Sequence, residues 1–166
     1  GDDTLAGGAG DDTFNVDAGI DTITDLSGSD VLIVASSATA NAAVSDDFTA
    51  TASTINSGNA NLVLANGKDA DLTNASAGTP ANGYSMGNAL ASVITGSGFD
   101  DTLTGGNGAD TISGGAGADT ITGSAGDDQL ISGLGTDTLT GGTDNDIFDY
   151  TNYYNWNPSD SITDLG

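Results

Sequence analysis

The chain has 166 residues, with 24 acidic side chains against a single basic one, Lys68, for a net charge of −23. Every acidic residue is Asp, and Cys and His are absent. Such a charge repels nucleic acid, the composition excludes disulfides and the soft or imidazole ligands of transition-metal sites, and no run of about eighteen apolar residues offers a membrane span.

With 26 Gly and 5% aromatic residues, the composition by itself reads as a disordered acidic chain. The order of the residues argues for an ordered, metal-bound state. Asp3, Asp12, Asp21 and Asp30 recur every nine residues, each followed two positions later by Leu5, Phe14, Ile23 or Leu32. Gly7 to Asn15 reads G-G-x-G-x-D-x-U-x with U apolar, whereas Val16-Asp17 and Asp25-Leu26 replace the glycine pairs of the next two units. Residues 1–34 form a first repeat block.

Residues 35–92 break the period and are rich in Ala, Ser, Thr and Asn. Strand-like patches stand at Phe48 to Ala52, Asn61 to Leu64, Ala70 to Thr73 and Leu90 to Thr95, and Asn66-Gly67 signals a turn and a possible hairpin. Two readings compete: irregular coils of one continuous solenoid, or a small β-sandwich-like insert between two rolls. The small residues favour the former slightly, and β-branched residues with scattered Gly and Asn disfavour helix. Gly83-Tyr84-Ser85-Met86-Gly87 matches the nucleophile elbow G-x-S-x-G, but with no His to serve as base it reads as a glycine-flanked turn, and no catalytic residue is assigned. Asn74-Ala75-Ser76 is a formal glycosylation sequon, read as an incidental loop.

The register returns over residues 93–149. Gly105 to Ser113 and Gly114 to Thr122 are two perfect units back to back; Gly123 to Ile131, Ser132 to Thr140 and Gly141 to Asp149 follow, and Gly96 to Thr104 precedes them with Phe99 at the fourth-position glycine. A fixed short period is the signature of a solenoid. The D-x-U-x half alternates polar and apolar residues as a half-buried strand does. The G-G-x-G half supplies residues that reach positive φ and turn tightly with carbonyls inward. Two units then close a coil of eighteen residues, and coils stack as parallel strands about 4.8 Å apart. The predicted fold is all-β, a parallel β-roll or β-solenoid of two repeat blocks joined by an irregular β-rich segment. Leu103, Ile121 and Leu139 line one wall of its interior, and Ile112, Leu130 and Phe148 the other.

Aspartates eighteen apart share an edge: Asp101, Asp119 and Asp137 form one column, Asp110, Asp128 and Asp146 the opposite one. Stacked like charges require a cation between them. Calcium suits, being a hard ion that takes roughly six to eight oxygens from carboxylates and carbonyls in flexible geometry; magnesium wants a smaller octahedral shell.

These units, over roughly 100 of the 166 residues, resemble the RTX (repeats-in-toxin) hemolysin-type calcium-binding repeat family, of the kind found in large secreted adhesins and surface-layer proteins. The resemblance implies several Ca2+ ions per chain, each between turns of adjacent coils and held by sixth-position Asp and turn carbonyls. The metal-site residues it marks are Asp3, Asp12, Asp21, Asp30, Asp101, Asp110, Asp119, Asp128, Asp137 and Asp146, with Gly8, Gly10, Gly106, Gly108, Gly115, Gly117, Gly126, Gly133 and Gly135 in the turns. Same-edge pairs suggest about six sites, four in the second block and two in the first, and about six ions leave the net charge near −11. Cytosolic calcium is too scarce for such sites, so folding is expected after export, and the resemblance implies type I secretion from a Gram-negative bacterium to an extracellular, cell-surface location. No basic-apolar leader and no C-terminal export signal is recognised, and the chain is expected to be a piece of something larger.

Thr102/Thr104, Thr120/Thr122 and Thr138/Thr140 stack on an outer face. Ice-binding solenoids share that arrangement, but ordinary strand propensity accounts for it here. Residues 150–159 are an aromatic insertion holding Tyr150, Tyr153, Tyr154 and Trp156, read as packing; residues 160–166 are a strand continuing into a next unit. Asp160-Ser161-Ile162-Thr163-Asp164-Leu165-Gly166 followed by a fresh Gly1-Asp2-Asp3 repeats the phrase Asp21-Thr22-Ile23-Thr24-Asp25-Leu26-Ser27-Gly28-Ser29-Asp30, with nine residues from Asp160 to Asp3. The expected function is a calcium-binding structural unit of a secreted bacterial surface protein (stalk, filament, adhesin or surface layer), arrayed head to tail with further copies. The alternative is a folding and secretion module of an exported enzyme or toxin whose catalytic domain lies outside this chain.

Overall fold

A computed structural model of the chain describes residues 1–65, 68–77, 83–87, 90–149 and 159–164. Its strands are β1 (Thr4–Leu5), β2 (Thr13–Val16), β3 (Gly19–Gly28), β4 (Val31–Val34), β5 (Ala38–Thr49), β6 (Ile55–Asn56), β7 (Asn59–Leu64), β8 (Ala70–Asp71) and β9 (Ser76–Ala77). They continue with β10 (Ser85–Gly87), β11 (Val93–Thr95), β12 (Thr102–Asn107), β13 (Thr111–Ala116), β14 (Thr120–Ala125), β15 (Gln129–Leu134), β16 (Thr138–Thr143), β17 (Ile147–Phe148) and β18 (Ser161–Asp164). Among the described residues there is no helix, and each strand pairing is parallel. The molecule is a β-solenoid.

One column of paired residues runs through the described chain: Leu5, Ile23, Ala42, Leu62, Met86, Leu103, Ile121, Leu139 and Ile162. Its interior members from Ile23 to Leu139 are at most 2% exposed. A second wall stacks Phe48, Ala70, Ile94, Ile112, Leu130 and Phe148. The walls predicted for the second block are therefore those observed. Alternation explains them: along Thr120-Ile121-Thr122 the threonines face out and the isoleucine, fully buried, faces in.

Of the two readings of the central stretch, the structure has irregular coils of one continuous stack. The step between partners is eighteen residues from Leu103 to Ile121, but twenty from Ala42 to Leu62 and twenty-four from Leu62 to Met86. A third wall, β2-β4-β6-β9, starts in the first block, where Thr13 pairs with Val31 eighteen residues on, and ends at Ala77. Leu26, Val44 and Leu64 stack where β3, β5 and β7 round the corner, all within 3% exposure. The hairpin expected between residues 62–64 and 70–72 does not form: β7 pairs with β5 and β10, and β8 with β5 and β11, all in parallel. Asn66-Gly67 itself lies outside the described residues. Gly83 to Gly87 is not the turn expected from its glycines, because Ser85, Met86 and Gly87 form a strand that joins β7 to β12. Residues 150–158, with nearly all of the aromatic insertion, lie outside the described residues; beyond them Leu139 pairs with Ile162, twenty-three positions on.

Candidate metal centres

Each sixth-position Asp sits where a turn enters a strand, so that successive coils bring these residues over one another. The backbone N–H of Asp101 donates to Asp119 Oδ1 at 2.8 Å, and that of Asp119 to Asp137 Oδ1 at 2.9 Å. On the opposite edge Asp110 donates to Asp128 at 2.8 Å and Asp128 to Asp146 at 3.1 Å. In the first block Asp3 donates to Asp21 at 3.0 Å and Asp12 to Asp30 at 2.9 Å. All ten aspartates marked from the sequence thus belong to such pairs. An eleventh was missed: Asp137 N–H donates to Asp160 Oδ1 at 2.9 Å, continuing the column past the insertion. Its signal was the Asp160-Ser161-Ile162 triplet, hidden by the departure from eighteen-residue spacing. Asp25, at the first position of a worn unit, takes the N–H groups of Gly7 and Gly8 at 3.0 and 2.8 Å.

The second carboxylate oxygen tells the sites apart. Oδ2 of Asp12, Asp110, Asp119, Asp128, Asp137 and Asp146 is buried and has no hydrogen-bond partner among the described residues. A buried anionic oxygen without a partner costs several kcal/mol by order of magnitude, so something cationic belongs beside it. Each of five of these oxygens lies against the leading glycine of its own unit. A Cβ on Gly7 would stand 2.5 Å from Asp12 Oδ2, and Cβ atoms on Gly105, Gly114, Gly123 and Gly141 would collide with Oδ2 of Asp110, Asp119, Asp128 and Asp146. The same imagined atom meets a carbonyl oxygen one coil on, Gly123 O at 2.7 Å from Gly105 and Gly141 O at 2.6 Å from Gly123. Carboxylate and carbonyl oxygens therefore converge where glycine leaves room.

Burial pushes the Asp119 carboxyl up to about 7, with Asp101 and Asp137 adding like charge, and the Asp128 carboxyl up to about 6. Asp110 and Asp137 are raised for the same first reason. Among the described residues no three carboxylates gather into one group, so a cation here draws much of its shell from backbone carbonyls. That donor set, all oxygen and irregular, fits calcium.

Turn conformation decides which aspartates present this bare oxygen. In all six units the second residue is left-handed: Gly8 at φ 94°, Gly106 at 125°, Gly115 at 105°, Ser124 at 91°, Gly133 at 103° and Gly142 at 118°. Among the predicted fourth-position glycines, Gly10, Gly117, Gly126 and Gly135 also have positive φ. The other four marked aspartates are Asp3, Asp21, Asp30 and Asp101, and in two of them Oδ2 is closed by the chain. Asp30 Oδ2 accepts the Ser27 N–H at 2.8 Å, and Asp101 Oδ2 accepts both the N–H of Ser97 at 2.7 Å and its hydroxyl at 3.0 Å.

A parallel β-solenoid whose glycine turns stack carboxylate and carbonyl oxygens at its edges is a cation-binding repeat fold, structural rather than catalytic in itself. The family model of the RTX calcium-binding nonapeptide repeat matches in four copies, over residues 1–23, 86–121, 95–130 and 113–148, which together span just over half of the chain. The chain belongs to that family, whose repeats bind calcium and are typical of secreted bacterial proteins. No curated protein and no solved structure matches it.

Proposed function

We propose that the chain is a calcium-stiffened structural segment of an exported bacterial surface protein, a stalk or filament in which this unit recurs head to tail. The ions sit at the six turns whose aspartate has an unpartnered Oδ2, five in the second block and one in the first, with Asp12, Asp110, Asp119, Asp128, Asp137 and Asp146 as the carboxylate ligands. That distribution differs from the four and two drawn from same-edge pairs. At extracellular calcium levels the ions neutralise the columns; at cytosolic levels the repulsion remains, so rigidity is acquired outside the cell.

The observation that carries the head-to-tail reading is the last rung. Asp160 and Ile162 stack on Asp137 and Leu139 as an ordinary coil, and nine residues separate Asp160 from Asp3 of a following copy. A next unit can then extend the stack and cover its open strand edge. Two copies expressed in tandem should appear in electron micrographs, in millimolar calcium, as a straight rod twice the length of one copy. Two separate bodies joined by a flexible link would overturn the reading.

A further inference from the structure

We infer that Ser27 and Ser97 close the Asp30 and Asp101 rungs to calcium, and that they enclose a segment that holds its coils without the ion. The inference rests on the calcium reading above and deepens it. Gly96 has the surroundings of a metal turn: a Cβ there would collide with the Gly114 carbonyl and lie 2.8 Å from Asp101 Oδ2, as Gly105 is placed toward Gly123 O and Asp110 Oδ2. The slot is nevertheless closed by the chain itself, since the N–H and hydroxyl of Ser97 both donate to Asp101 Oδ2. Ser97 is 3% exposed and Asp101 2%, so these hydrogen bonds satisfy the charge where solvent does not reach.

Ser124 shows that serine alone is not the cause. It holds the same second position as Ser97, yet lies at φ 91° and leaves Asp128 Oδ2 bare. The difference is the backbone of that position: Ser124 is left-handed, as is the second residue of each of the six metal turns, whereas Ser97 does not have positive φ. The fourth position does not decide it, since Gly108 also lacks positive φ while Asp110 Oδ2 is bare. Without a left-handed second residue the turn takes another path, and the Ser97 N–H points at the carboxylate. In the first block Leu26 holds the second position without positive φ, and the N–H of Ser27, at the third, donates to Asp30 Oδ2.

Both closed rungs face the central coils. Only four of the 24 aspartates, Asp46, Asp47, Asp69 and Asp71, lie in residues 35–92, together with the sole lysine. Lys68 Nζ reaches Asp46 Oδ1 at 2.6 Å and Asp47 at 4.0 Å. The segment also owns much of the core: Val44, Phe48, Leu62, Leu64, Leu72, Tyr84 and Met86 are all within 3% exposure. Low charge, closed carboxylates and a dense interior make it a nucleus that stands before calcium arrives, from which the two arms wind on export.

Hydrogen exchange read by mass spectrometry on the full chain tests the nucleus. Without calcium, amides of residues 38–44 and 59–64 should keep their protection while those of residues 120–143 lose it at least about tenfold; loss or retention in both together overturns the proposal. Calorimetric calcium titration tests the serine. The double variant Ser97→Gly/Phe99→Gly should take one ion more than the wild type, and Asp101→Asn should leave the wild-type count unchanged. An unaltered count in the double variant refutes the role of Ser97, whereas a wild type that takes no calcium refutes the underlying calcium reading instead.

Discussion

Asp101 and Asp119 stand one coil apart, joined by a 2.8 Å hydrogen bond from the Asp101 N–H to Asp119 Oδ1, yet Oδ2 of Asp101 takes two hydrogen bonds from Ser97 while Oδ2 of Asp119 takes none. Substituting Asp119→Asn should therefore remove a metal ligand. In millimolar calcium the variant is expected to bind one ion fewer in calorimetric titration and to melt lower, at about 2–4 °C per kcal/mol lost. Without calcium the same substitution removes buried charge, and its melting temperature should equal or exceed that of the wild type. A lower melting temperature in both conditions would mean that Asp119 serves packing alone.

Acidity should act on the metal-free and metal-bound proteins in opposite directions. Burial raises Asp119 to about 7 and Asp128 to about 6 from 3.8, so the folded metal-free chain holds protons that the unfolded chain has released. Their contribution is complete below about pH 4 and lost as pH rises through about 6 and then 7. Metal-free protein in chelator-treated buffer should melt higher near pH 5 than near pH 8. Calcium needs the charged carboxylates, so its affinity should fall as pH drops through the same window. Parallel pH trends with and without calcium, followed by circular dichroism, would contradict this.

The coil register was legible in the sequence because a nine-residue period fixes turn, strand and inward residue at once, and Ile112 stacks on Leu130 one coil apart. The central coils were only half legible. Their steps of twenty and twenty-four residues leave no period to read, and Asn66-Gly67 carries a local turn preference that says nothing of whether the next strand returns beside the last or one coil on. The ten aspartates were legible by position, but the oxygen that separates Asp101 from Asp119 was not, because it depends on the sign of φ four residues before the carboxylate. Phe99 was visible as a departure from the pattern; that Ser97 closes Asp101 appears only in three dimensions.

The left-handed second position gives a paired test of turn strain. Ser124 holds φ 91° against the preference of an L-residue, and Ser124→Gly should stabilise the calcium-bound fold by about 1 kcal/mol. Gly115→Ala does the reverse, with φ 105° and a Cβ driven into the Ser97 carbonyl, and should cost about 1–3 kcal/mol. Urea unfolding in millimolar calcium measures both. Equal midpoints for the two variants would show that the second position does not constrain the turn.

Tyr84 offers a substitution expected to improve the protein. Its ring lies 2% exposed near the level where the third wall ends at Ala77, and its N–H donates to Asp101 Oδ1 at 2.5 Å, which seats it against the first rung of the second block. The ring fills an interior that narrows from three walls to two, but its hydroxyl is buried with no partner among the described residues. Burial and the nearby Asp101 charge both push the phenol above its ordinary range, so it stays neutral and contributes no charge to the site. Removing an unsatisfied hydroxyl from an apolar interior relieves about 1–3 kcal/mol of desolvation cost. Tyr84→Phe should therefore raise the urea midpoint in millimolar calcium, while Tyr84→Ala, which empties the ring's volume, should cost about 3–5 kcal/mol. A Tyr84→Phe variant less stable than the wild type would show instead that the hydroxyl is bonded in solution, through a bound water or a residue beyond those described.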